Sequence, residues 1–108
     1  QPMRQMIEAG SVDIVMIDLV RVGGITDWLK VAAMAEAHNL PVVSHIMPEI
    51  SAQLVAAVPN GLTVEYISWG AALFEETAPV VKGILTLPDK PGLGLRFNQD
   101  VLKRYRVA

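Results

Sequence analysis

The chain has 108 residues, 52% of them hydrophobic and only 19% charged, where about 25% charged is usual. A domain this small has a high surface-to-volume ratio and should be more polar than average, so either a partner covers part of its surface or it is a slice of something larger. A net charge of -2 without a basic stripe excludes a nucleic-acid binder, zero cysteines exclude a disulfide framework, and no apolar run reaches the roughly 18 residues of a membrane span.

In chain order, Met3–Ala9 reads as a short helix, with Pro2 in its first turn and Gly10 past its end. Val12–Asp18 (VDIVMID) is a short apolar strand, followed by the loop LVRVGGI. Thr26 is a suitable N-cap for a helix from Asp27 to about His38, which carries Leu29, Ala32, Ala33 and Ala37 at helical spacing. Asn39 is placed to end that helix in a left-handed conformation, and Pro41 precedes a second strand, Val42–His45. Ile50–Val58 reads as a helix, Pro59-Asn60-Gly61 as a turn, and Thr63–Ile67 (TVEYI) as a third strand. Beyond Ser68 the alternation stops. Ile84–Pro88 is a candidate strand, and Asn98 is a cap for a last helix ending near Tyr105, where Lys103, Arg104 and Arg106 suit the helix dipole.

Helices alternating with strands through short connections predict a parallel sheet. Three parallel strands neither close a barrel nor cover an open sheet, and two edges would keep unpaired backbone groups. A complete (β/α)8 barrel takes about 250 residues. The fold class is therefore α/β, the C-terminal part of a (β/α)-barrel. Residues 1–72 form its last βα units and 73–108 a C-terminal tail.

Each strand carries an ionisable group at or near its C-terminal end: Asp18, His45 and Glu65. Adjacent strands lie about 4.8 Å apart, so groups at equal heights can touch across long sequence separations. Strand C-termini also surround the active-site mouth of a barrel. A carboxylate beside an imidazole fixes its tautomer and favours its charged form, which makes Asp18 and His45 an acid/base dyad. A protonated Glu65 could donate a hydrogen bond to an oxygen that gains negative charge. Each residue also has a structural use. Asp18 can bond to the amides of its own RVGG loop, His45 can be a satisfied strand-end residue, and Glu65 can be ion-paired. Three on consecutive strands make a constellation, and the functional reading overtakes the structural one. Gly23-Gly24 fits neither phosphate-loop pattern and reads as a tight strand-to-helix turn. Arg21 reads as solvated or ion-paired, Glu49 as helix-start chemistry, Trp28 and Trp69 as packing residues, and Trp69 could also line a pocket.

The stretches DLVRVGGIT and SHIMPEISAQLVAAVPNGLTVE resemble the sixth, seventh and eighth strands of the mandelate racemase subgroup of the enolase superfamily, and LPDKPGLGL resembles its tail. The resemblance covers nearly the whole chain and includes the spacing of Asp18, His45 and Glu65. It implies an enolase-type modified TIM barrel whose earlier strands and N-terminal capping domain are absent, the tail returning toward that capping domain. It implies that Asp18 is the dyad aspartate, that His45 is the general acid/base, and that Glu65 hydrogen-bonds the substrate carboxylate as it becomes an enolate. Ile46 and Ile67 would flank the substrate. Mg²⁺ is the implied cofactor, with its acidic ligands and an opposing lysine base on earlier strands, so no metal ligand is assigned here. Muconate-lactonising relatives usually carry a lysine on the sixth strand and lack this His–Asp pair, so the resemblance favours the racemase and dehydratase branch. The expected activity is therefore acid-sugar dehydration, with mandelate racemase-like racemisation or epimerisation as the alternative. From another class, the alternative is a non-catalytic barrel-derived binding module. The expected partner is a small carboxylate, with neither nucleic acid nor membrane. The expected whole protein is a cytoplasmic homo-oligomer, and the 108 residues alone are expected to be inactive.

Overall fold

A computed structural model describes residues 2–107. The described elements are α1 (Pro2–Glu8), β1 (Val15–Asp18), α2 (Leu19–Val22), α3 (Ile25–Ala37), β2 (Val42–His45), α4 (Pro48–Ala57) and β3 (Gly61–Thr63). A 3₁₀ helix (Ser68–Leu73), a hairpin of β4 (Val80–Val81) and β5 (Ile84–Leu85), and α5 (Gln99–Tyr105) follow. β1, β2 and β3 form one parallel sheet in chain order. Parallel crossovers share one hand, so a sheet laid down in sequence places its helices on one face. α3 and α4 touch each other accordingly.

The core lies between the sheet and that helix layer. Val15 and Ile17 of β1 point into it, while Met16, on the opposite face, is 49% exposed. From α3 come Trp28, Ala32 and Ala35, and from α4 Leu54 and Val55, all buried. The buried stripe of α3 is thus rotated from the one the sequence suggested: Leu29, Ala33 and Ala37 are exposed. Trp28 sets that rotation. It is fully buried and its indole N–H donates to the Ile17 carbonyl at 3.3 Å, so bulk and hydrogen bond both face β1.

Element ends differ from the sequence reading where pairing, rather than propensity, decides them. β1 starts at Val15, not Val12, because its ladder begins opposite Val42, with the Val15 N–H donating to the Pro41 carbonyl at 2.9 Å. The expected loop after Asp18 contains a helical turn, α2. α3 begins at Ile25 with Gly24, not Thr26, in the capping position. Gly23 and Gly24 have φ of 104° and 108°, which side-chain-bearing residues rarely adopt, and they turn the chain sharply from α2 into α3. β3 ends at Thr63 instead of running to Ile67. Its register with β2 slips between Val42 and Val43, and the next ladder donor, the Glu65 N–H, bonds to the Ser44 hydroxyl at 3.1 Å. Asn39 has φ 57° and ends α3 region as expected, and β2 matches its expected bounds.

The tail folds back on its own beginning. Phe74 and Phe97 stack with centroids 5.2 Å apart, and the Asn98 N–H donates to the Leu73 carbonyl at 2.8 Å. The hairpin between them turns through Lys82 and Gly83, both with positive φ, as a two-residue turn of that hand requires. The expected Ile84–Pro88 strand is confined to Ile84–Leu85. Asn98 caps α5 as its side chain accepts from the Asp100 and Val101 amides.

Candidate active site

β1 and β2 are in register from Val15–Val42 through to Asp18–His45, so their last residues face each other. Asp18 and His45 lie on the same face as Met16, away from the helix layer. The Asp18 Oδ2 is 2.8 Å from the His45 Nδ1. With Nδ1 turned to the carboxylate, Nε2 is the nitrogen left to meet a substrate.

Asp18 uses its two oxygens differently. Oδ1 accepts from the Val20 and Arg21 amides at 2.9 and 3.0 Å and so caps α2, while Oδ2 faces His45. The loop-capping use and the dyad use therefore coexist in one side chain. The hydrogen bond from the Arg21 amide, against the opposing effect of burial and with help from His45 and the Val20 amide, holds the Asp18 carboxyl below its ordinary value. A carboxyl held in its charged form is the one that fixes an imidazole. The Arg21 guanidinium, 80% exposed, reaches Oδ2 at 3.2 Å, which makes it the ion-paired residue expected.

Glu65 lies two residues beyond β3 rather than on it. It is tied to β2 on both sides of the histidine. Its amide donates to the Ser44 hydroxyl, and its Oε2 accepts from the Ile46 amide at 2.8 Å. Asp18 thus meets His45 directly, whereas Glu65 is joined to it through the backbone of its neighbours. Oε1 is the oxygen left to face a ligand. Ile46 follows His45 and Ile67 follows Glu65 by two residues, and both are half-buried. Trp69 is 80% exposed and so is not a packing residue.

Sequence reasoning missed Ser44 and Ser51, both fully buried. The Ser51 hydroxyl donates to the Ile46 carbonyl at 3.2 Å. The available signal was their place in apolar segments, since a buried hydroxyl must find a partner. It also missed that Ile46 and Met47 are left-handed, with φ of 44° and 49°. A groove of about 730 Å³ opens beside the dyad between α1 and α3, lined among others by Met16, Arg21, Asp27 and Lys30. Among the described residues no three His, Cys, Asp or Glu side chains cluster as a metal site, so Mg²⁺ does not fit this segment by itself. No helix of the described residues is long and apolar enough to cross a membrane.

A model of the enolase C-terminal domain-like family matches residues 1–101. The chain belongs to that family. It is 37% identical over 96% of its length to D-xylonate dehydratase of Haloferax volcanii, of which it covers 27%. It superposes with a TM-score of 0.88 and 36% identity on L-talarate dehydratase from Polaromonas sp. JS666, a structure complexed with Mg and L-glucarate, over 94% of this chain and 28% of that one. An enolase from Bradyrhizobium, complexed with magnesium and mandelic acid, gives a TM-score of 0.84 and 38% identity over 96% of this chain and 28% of that one. The chain therefore spans under a third of the length of these relatives. The fold is the corresponding part of the enolase-type barrel.

Proposed function

We propose that this chain forms the Asp–His half of the active site in a longer, Mg²⁺-dependent enzyme that removes the proton α to a carboxylate, and that its reaction is acid-sugar dehydration. The single observation carrying this reading is the 2.8 Å contact between Asp18 and His45, set by strand register at the open end of the sheet. Residues 1–72 supply the last barrel strands and 73–108 the tail. The metal's ligands belong to strands outside this chain.

In this reading His45 Nε2 takes the α-proton, and the Asp18 charge stabilises the imidazolium that results. Glu65, its orientation fixed by the Ile46 amide and its carboxyl protonated in this step, donates a hydrogen bond from Oε1 to a carboxylate oxygen of the substrate as negative charge develops there. The imidazolium then gives its proton to the β-hydroxyl, which leaves as water. The resulting enol tautomerises to a 2-keto-3-deoxy acid. One dyad can serve as base and then as acid toward a sugar acid with an α-hydrogen and a β-hydroxyl. The acid-sugar dehydratases among the relatives support dehydration as the reaction.

Racemisation is the second reading, supported by the mandelic acid bound to a neighbouring structure. There the proton would return to the α-carbon, with a second base opposite His45. A panel of acid sugars and mandelate-like acids given to the full-length enzyme separates the two. The dehydratase reading expects a 2-keto-3-deoxy product from at least one acid sugar, whereas stereochemical scrambling with no dehydrated product would replace it with racemisation.

A further inference from the structure

The peptide immediately after His45 is in an uncommon conformation. Ile46 and Met47 have φ of 44° and 49°, so two consecutive non-glycine residues, one of them β-branched, occupy the left-handed region. Such a pair persists only where its surroundings over-determine it. Hydrogen bonds hold it at both residues. The Ile46 amide donates to Glu65, the Ile46 carbonyl accepts from the Ser51 hydroxyl, and the Met47 carbonyl accepts from the Ile50 and Ser51 amides at the start of α4. The two amide donors at Met47 are ordinary first-turn bonds that any residue would supply. The Ser51 hydroxyl is different. It is a fully buried polar group in the apolar stretch of α4, where alanine would pack as well, and its partner is the Ile46 carbonyl.

We propose that Ser51 is a positioning residue for the proton abstraction: its hydroxyl holds the left-handed Ile46–Met47 turn, and that turn holds the Ile46 amide against Glu65 and His45 beside Asp18. The inference rests on the proposed function, because it needs His45 and Glu65 to act on one substrate. Without the hydroxyl the turn relaxes toward ordinary backbone values. The peptide joining His45 to α4 moves with it, and the amide that orients Glu65 is displaced. Apart from His45, the groove beside the dyad is lined by α1, β1, α2 and α3, none of which adjoins the turn, so the rest of its wall is unchanged.

The test measures α-proton exchange with solvent deuterium in the full-length enzyme. Ser51→Ala is expected to lower kcat about tenfold with KM within about twofold, the signature of misplaced reacting groups and not of weaker binding. The double variant Ser51→Ala, Met47→Gly is expected to recover most of that loss, because glycine adopts the left-handed conformation without restraint. A serine that merely fills the core would not be rescued by a glycine four residues away. Unchanged kcat in Ser51→Ala, or a loss that the glycine does not relieve, overturns the proposal. His45→Asn is assayed in parallel. If it retains full exchange, the functional reading itself fails. If it abolishes exchange while Ser51→Ala is normal, only the role of Ser51 fails.

Discussion

Asp18 is the residue at which local structure and chemistry meet. One oxygen closes the α2 turn and the other holds the imidazole, so the same charge serves both. Its carboxyl is held below its ordinary value in the folded protein, so it contributes stability that is fully present above the unfolded carboxyl value, near 3.8. That contribution is lost as pH falls through the lower folded value. Asp18→Asn keeps a capping oxygen but removes the charge. Equilibrium denaturation across pH is expected to show the variant less stable at neutral pH, with the gap closing in acid below that range. A gap independent of pH would mean that the carboxylate is not held charged. The dyad was legible in the sequence because strand ends in a parallel sheet align, which needs only strand boundaries. The serines and the left-handed Ile46 were not, because isoleucine there violates local preference and only the contacts of Glu65 and Ser51 explain it.

At the scale of elements, β2 follows its local signal, a β-branched pair after Pro41. α4 starts at Pro48, two residues before the expected Ile50, with the proline in its first turn, and ends at Ala57 rather than Val58. β3 and α2 do not follow local signals. β3 is cut short by a side-chain hydroxyl that replaces a ladder acceptor, and α2 is nucleated by a side-chain cap; neither event has a periodicity to read. α3 carries the strongest packing constraint. Its Trp28 is fully buried against β1 and bonds to the Ile17 carbonyl, one residue before the dyad aspartate. Trp28→Ala is expected to cost about 3–5 kcal/mol of stability by cavity formation, read from the denaturant midpoint of the full-length enzyme. A loss below about 1 kcal/mol, on the scale of surface substitutions, would contradict the packing described here.

At the scale of the whole molecule, the sheet pairs with no further strand at either edge among the described residues, and on the face away from the helices Met16 is about half exposed beside the dyad while Val43 is buried. The dyad lies at the rim of that face, where in the proposed function a barrel's remaining strands would bring the metal ligands and an opposing base. His45 is therefore the point at which the account stands or falls. The most direct measurement is incorporation of solvent deuterium at the α-carbon of an acid sugar by the full-length enzyme and its His45→Asn variant, with folding of both checked by circular dichroism. The folded variant is expected to lose exchange by a factor of about 10²–10⁴. A folded variant that exchanges as fast as the parent would contradict it.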